Sequence, residues 1–152
     1  MSVTASQLHM LFNHFPVILS FTGCLFFAFG LFFRRKSAAD TGLTLLVLAA
    51  VTALPALWTG EPAEHQLEKL NLGVSLSKEH IHEHEEAAEA AFFALLITGV
   101  GALGLKIASA LTWATPRKTG WLLLLFALAS AGMMGRAGHL GGMIRHAIEL
   151  TP

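Results

Sequence analysis

Eight histidines stand out in a chain of 152 residues that is 54% hydrophobic and only 13% charged: His9, His14, His65, His80, His82, His84, His139 and His146. Imidazoles held at one height by separate helices could ligate a haem iron or a compact non-haem metal. His14 is the candidate from the first apolar segment, with either His84 or His139 across from it and His146 further out. Arg136 and Arg145 could pair with haem propionates. Carboxylates offer a different chemistry. Glu61 and Glu64 are spaced i,i+3, and Glu61 and His65 i,i+4, so each pair could share a helix face. Mixed Glu/His ligation from several helices holds iron or manganese in carboxylate-bridged bundles. Here His14, Glu61, Glu64, His84, Glu85 and His146 form the candidate set for Fe, Cu or Zn, although the repeated Glu-x-x-His of such bundles is absent. The tract Glu79-His80-Ile81-His82-Glu83-His84-Glu85-Glu86 would serve equally as a solvated helix face.

Several chemistries are excluded. The single cysteine, Cys24, allows no internal disulfide and no multi-cysteine zinc or iron–sulfur site. No nucleophile elbow or Gly-x-x-x-x-Gly-Lys phosphate loop occurs, and no residue is singled out as catalytic. Lys plus Arg equals Asp plus Glu, so no basic excess exists for nucleic acid.

The elements that must carry these side chains are membrane helices. Apolar runs at about 12–33, 41–60, 85–107 and 119–142 each approach or exceed the ~20 residues that cross a ~30 Å hydrocarbon core. They lack the alternation of barrel strands, and in lipid only helices or closed barrels satisfy the backbone. Arg34, Arg35 and Lys36 follow the first run; Arg117 and Lys118 precede the fourth. The positive-inside rule puts both loops in the cytoplasm and both termini outside. No basic n-region precedes the first run, so a signal peptide is not expected. The outer connection, 61–84, is rich in Glu, and Pro62–Leu70 is expected to form a short surface helix broken at Asn71-Leu72-Gly73. Ser75 or Ser77 would cap the third helix. The expected fold is an all-α, antiparallel four-helix membrane bundle, both termini out, with a short outer amphipathic helix.

In this frame every histidine falls on the outer side. His14, His84 and His139 lie closest to the membrane boundary, the others further out. Gly132, Gly135, Gly138, Gly141 and Gly142 on the fourth helix, and Ala87, Ala88 and Ala91 on the third, could make room for a flat macrocycle. Such small-residue faces also serve plain helix packing in lipid. Glu89 and Arg136 lie just inside the boundary, where an ion pair would offset the ~2.5–3.5 kcal/mol cost of inserting a charge. Glu89 could alternatively exchange protons with the outside.

Four motifs come in order: Asn13-His14-Phe15-Pro16, Thr59-Gly60-Glu61-Pro62-Ala63-Glu64, His84-Glu85-Glu86-Ala87-Ala88-Glu89, and Gly138-His139-Leu140-Gly141-Gly142-Met143-Ile144-Arg145-His146. With them the chain resembles, over nearly its whole length, a family of small four-helix bacterial inner-membrane proteins with no assigned activity. The resemblance implies a four-span fold and draws attention to His14, Glu61, Glu64, His84, Glu85, Gly141, Gly142, Arg145 and His146. Relatives often carry Asn at the position of His139, which shifts weight to His146. The expected function is a redox subunit binding haem b at the outer face, exchanging electrons with quinol or a larger respiratory complex. A non-haem metal site and an accessory structural subunit are the alternatives.

Overall fold

The computed structural model describes residues 4–70, 78–111 and 117–149. These form four helices, α1 (Ala5–Phe32), α2 (Lys36–Leu70), α3 (Lys78–Ala110) and α4 (Arg117–Glu149), and among the described residues there is no strand. Chain neighbours pack against each other and α4 closes on α1, so α1 faces α3 across one diagonal and α2 faces α4 across the other. All four helices are long and apolar enough to cross a bilayer. Only 33% of each apolar window is buried inside the bundle, while Leu25, Ile97, Val100 and Leu125 project outward. In water that surface would drive aggregation; lipid tails solvate it. The chain is a multi-pass membrane protein built as an all-α four-helix bundle.

Local chemistry sets the helix ends. Thr4 caps α1 through a capping box: its hydroxyl accepts from the Gln7 N–H at 3.3 Å, and the Gln7 side chain accepts from the Thr4 N–H at 3.1 Å. At the other end the Phe33 N–H reaches Phe29 O at 3.0 Å and the Arg35 N–H reaches Gly30 O at 2.9 Å. Arg34 adopts φ 54° to make that turn, and α2 starts at once. The hairpin is the most intimate pairing in the bundle. A Cβ on Gly30 would collide with the Ala39 backbone, and one on Gly42 with the Phe27 backbone. Glycine is required where two helices touch backbone to backbone.

The core divides along the bundle axis. Toward the basic loops it holds Cys24, Phe27, Leu43, Leu46 and Leu124, so Cys24 is packing material. Toward the termini it is lined with alanine, including Ala49, Ala53, Ala87 and Ala91. Between the halves Thr98 and Ser130 share a buried hydrogen bond of 2.7 Å linking α3 to α4. Lys106 ties α3 to α2 near the basic loops, with its Nζ 2.6 Å from Asp40 and 2.8 Å from Thr44.

Two elements differ from the sequence expectation. α1 begins several residues before position 12, which brings His9 into the helix. α2 runs without a break through Gly60 and Pro62, so the stretch expected to be a separate surface helix is the last turns of α2. Pro62 removes one N–H partner, for the carbonyl four residues earlier, and a helix can absorb that loss with a local bend. The Asn71-Leu72-Gly73 break and the Ser75 or Ser77 cap lie outside the described residues.

Candidate functional site at the histidine end

α1 turns one stripe toward the bundle axis. From the basic-loop end it reads Phe27, Cys24, Ser20 and Pro16, all buried, and it continues through Asn13 to His9. α3 does the same with Thr98, Leu95, Ala91, Ala87 and finally His84. Where alanine and glycine replace larger residues at the terminal end, the four helices line a half-open cavity of about 360 Å³. His9, His14 and His84 all line it.

Two of these rings are braced by a neighbouring helix. His9 Nδ1 lies 3.0 Å from Ala56 O and 3.2 Å from Thr59 Oγ1 on α2. His84 Nδ1 lies 3.0 Å from Ala137 O on α4. The two contacts share a design. The residue four beyond Ala56 is Gly60, and four beyond Ala137 is Gly141. A helical side chain at i+4 covers the turn N-terminal to its own Cα, over the carbonyl of residue i. Glycine leaves that carbonyl uncovered, and an imidazole occupies the notch. A Cβ built on Gly141 would stand 3.1 Å from His84 Cε1, and one on Gly60 3.6 Å from His9 Cε1.

The carbonyl partner decides the tautomer. Because a carbonyl only accepts, Nδ1 must carry the hydrogen and donate it, which leaves the lone pair on Nε2. Metal-bound histidines show this arrangement, with the second ring nitrogen donating to a carbonyl or carboxylate. His14 has the same tautomer, with its Nδ1 2.6 Å from Met10 O in its own helix, but its ring is exposed. The rest of the lining is mostly apolar, including Ala53, Ala88, Phe92 and Met134. Asn13 is the exception. Its Oδ1 is buried beside the cavity without a hydrogen-bond partner among the described residues, an arrangement that costs about 1–3 kcal/mol unless a donor arrives. On α4 a Cβ on Gly142 would meet nothing within 4 Å, so that wall faces open space.

Other expected site residues go elsewhere. His139 is exposed and does not line the cavity; it sits two residues past Ala137, roughly 200° around α4. Glu89 and Arg136 are both exposed and do not pair with each other or with any other described residue. Glu89 is five residues past His84, roughly 140° off the inward stripe. The expected pair is therefore absent, because both side chains leave the bundle rather than meet within it. Near the interface each can reach water instead. The side chains of Arg145 and His146 lie outside the described residues.

The carboxylate set does not gather around a metal. Glu64 of α2 meets Glu85 of α3, two acidic groups head to head, while Glu61 is exposed. His65 Nδ1 lies 3.1 Å from the Glu61 carbonyl of its own helix. His82 is exposed and reaches Glu86 at 3.3 Å as a solvated i,i+4 pair, and His80 is exposed as well. Among the described residues, no three His, Cys, Asp or Glu side chains converge closely enough to hold one metal ion.

The cavity supplies imidazole lone pairs from separate helices and small residues on two walls, and among the described residues no carboxylate lines it. Its volume lies in the lower part of the ~300–1,000 Å³ range of cofactor sites. Sequence reasoning missed His9, placing it above the membrane, though its spacing from Asn13 and Pro16 continues the inward stripe of α1. Comparison of the chain with protein-family models, curated proteins and solved structures finds no match in any of the three.

Proposed function

We propose that this protein is a haem b-binding redox subunit of the bacterial inner membrane, with its cavity near the periplasmic face. The supporting observation is the shared cavity of His9, His14 and His84, where His84 and one of the two α1 histidines can give Nδ1–H to a backbone carbonyl and keep Nε2 for ligation. His84 of α3 and a histidine of α1 would hold the group. Bound there, a haem would provide one-electron transfer at a potential set by its axial imidazoles and the apolar surroundings. The protein holds the His9 and His84 rings through Ala56 and Ala137, lines the site with the apolar Phe92 and Met134, and leaves Asn13 Oδ1 as an acceptor for a donor on the occupant. Membrane quinol or a larger respiratory complex is the electron partner of this reading.

The test is direct. Protein purified from membranes in mild detergent is examined by reduced-minus-oxidised absorption spectra and pyridine haemochrome quantification. The expected result is near-stoichiometric haem b in the wild type and its loss in His84→Ala. Metal without a Soret band would transfer the site to non-haem Fe, Cu or Zn. Metal-free, colourless protein that co-purifies with one membrane partner would leave an accessory structural subunit.

A further inference from the structure

Three histidines line the cavity but only two are fixed across the bundle. His14 bonds the carbonyl of Met10, four residues back in its own helix, and its ring is exposed at the rim. His9 and His84 stand on α1 and α3, the diagonal pair, and each is braced on the helix beside it. The braces repeat one motif, an Ala carbonyl uncovered by Gly at i+4, in Ala56–Gly60 on α2 and Ala137–Gly141 on α4. His14 is five residues beyond His9, roughly 140° around the helix, so the two cannot occupy the same direction.

We infer that the α1 ligand of the cavity is His9, which forms with His84 a bis-imidazole pair across the bundle diagonal, while His14 stays free at the rim. This rests on the haem reading above and decides between its two α1 candidates. The geometry argues for it in two ways. A ligand braced on another helix has already lost its side-chain freedom, so binding costs it little further entropy. A ligand pair drawn from α1 and α3 also leaves α2 and α4 to flank the occupant. Those are the helices that present Ala53 and Gly142 to the cavity.

The experiment uses full-length protein in detergent, with absorption and electron paramagnetic resonance spectra and helicity by circular dichroism. His9→Asn retains an N–H where Nδ1 donates to Ala56 but removes Nε2. It is expected to keep wild-type helicity and lose the low-spin, six-coordinate spectrum. His14→Ala is expected to keep that spectrum. His9→Met supplies a ligand of another kind and is expected to give a His/Met spectrum with a raised reduction potential, a gain that no merely structural role for His9 would produce. Free imidazole is expected to restore the low-spin spectrum to His9→Ala. Retention of the wild-type spectrum by His9→Asn, or its loss in His14→Ala, overturns the assignment. Wild-type protein that contains no haem overturns the parent reading instead, so the two failures are told apart.

Discussion

Gly141 carries two opposing terms that can be separated. Replacing it with Ala gains about 1 kcal/mol of helix propensity. The new Cβ would stand 3.1 Å from His84 Cε1, so the ring must give by a few tenths of an ångström and weaken its bond to Ala137 O, a hydrogen bond worth about 1 kcal/mol. Global stability should therefore hardly change, and the unfolding midpoint should move by no more than a few degrees. The site should change far more. Gly141→Ala is expected to retain less haem than wild type, and the bulkier Gly141→Val to retain almost none at unchanged helicity. Equal retention in all three would mean that the notch does not position His84. At this scale the sequence was legible only in part. His84 stands out in the sequence by its height beside the membrane boundary, and the same reasoning prefers His14 and His139 to His9. Depth below a boundary was the criterion, and depth says nothing about direction around a helix. The missing signal was angular: His9 continues the stripe of Asn13, Pro16 and Ser20, whereas His139 falls on the far side of α4 from Ala137. The Ala-x-x-x-Gly notches were equally present in the sequence. They read as ordinary small-residue packing because a carbonyl's exposure is a property of the folded helix.

The element scale shows which glycines matter and which do not. Gly30 and Gly42 lie where α1 and α2 touch by backbone, one on either side of the tight turn at Arg34. No flexible side chain can retreat there, so Gly42→Ala must push the helices apart along the best-packed interface. An overpacking cost of about 1–3 kcal/mol or more is expected, read as a lowered unfolding midpoint in detergent or loss of the protein from the membrane. Gly104 and Gly132 provide the control, since a Cβ at either meets nothing within 4 Å. Gly104→Ala and Gly132→Ala should be neutral or stabilising by up to about 1 kcal/mol. Equal effects at all these positions would show that the hairpin is not held by close approach. Four spans, their order and their rough limits were legible because hydropathy and length are sums over many residues. The end of α2 was not. Gly60 and Pro62 are strong local stop signals, yet a helix carries on through them when only one N–H is lost and packing continues beyond: Ala63 is buried one residue past the proline.

For the whole molecule, the decisive asymmetry is that one end holds the cavity and the other holds the basic loops. Arg34, Arg35 and Lys36 lie at the α1–α2 turn, Arg117 and Lys118 at the start of α4, and all five are exposed. The Glu-rich stretch and the histidines lie at the opposite end. Translocation machinery retains Lys and Arg in short loops on the cytoplasmic side, so the cavity should open toward the periplasm. That orientation fixes which partners could reach it. Electrons delivered there would go to a periplasmic acceptor or come from quinol in the outer half of the bilayer. Single cysteines introduced in a Cys24→Ala background, at Lys36 and Lys118 on one side and His65 and His82 on the other, make this measurable in intact cells. A membrane-impermeant maleimide is expected to label the cysteines at His65 and His82 without disruption, and those at Lys36 and Lys118 only after the cells are opened. These four side chains are exposed, so accessibility within the fold does not confound the reading. The reverse pattern would turn the cavity to the cytoplasm, and the periplasmic partner would have to be abandoned even if His9 and His84 hold a haem.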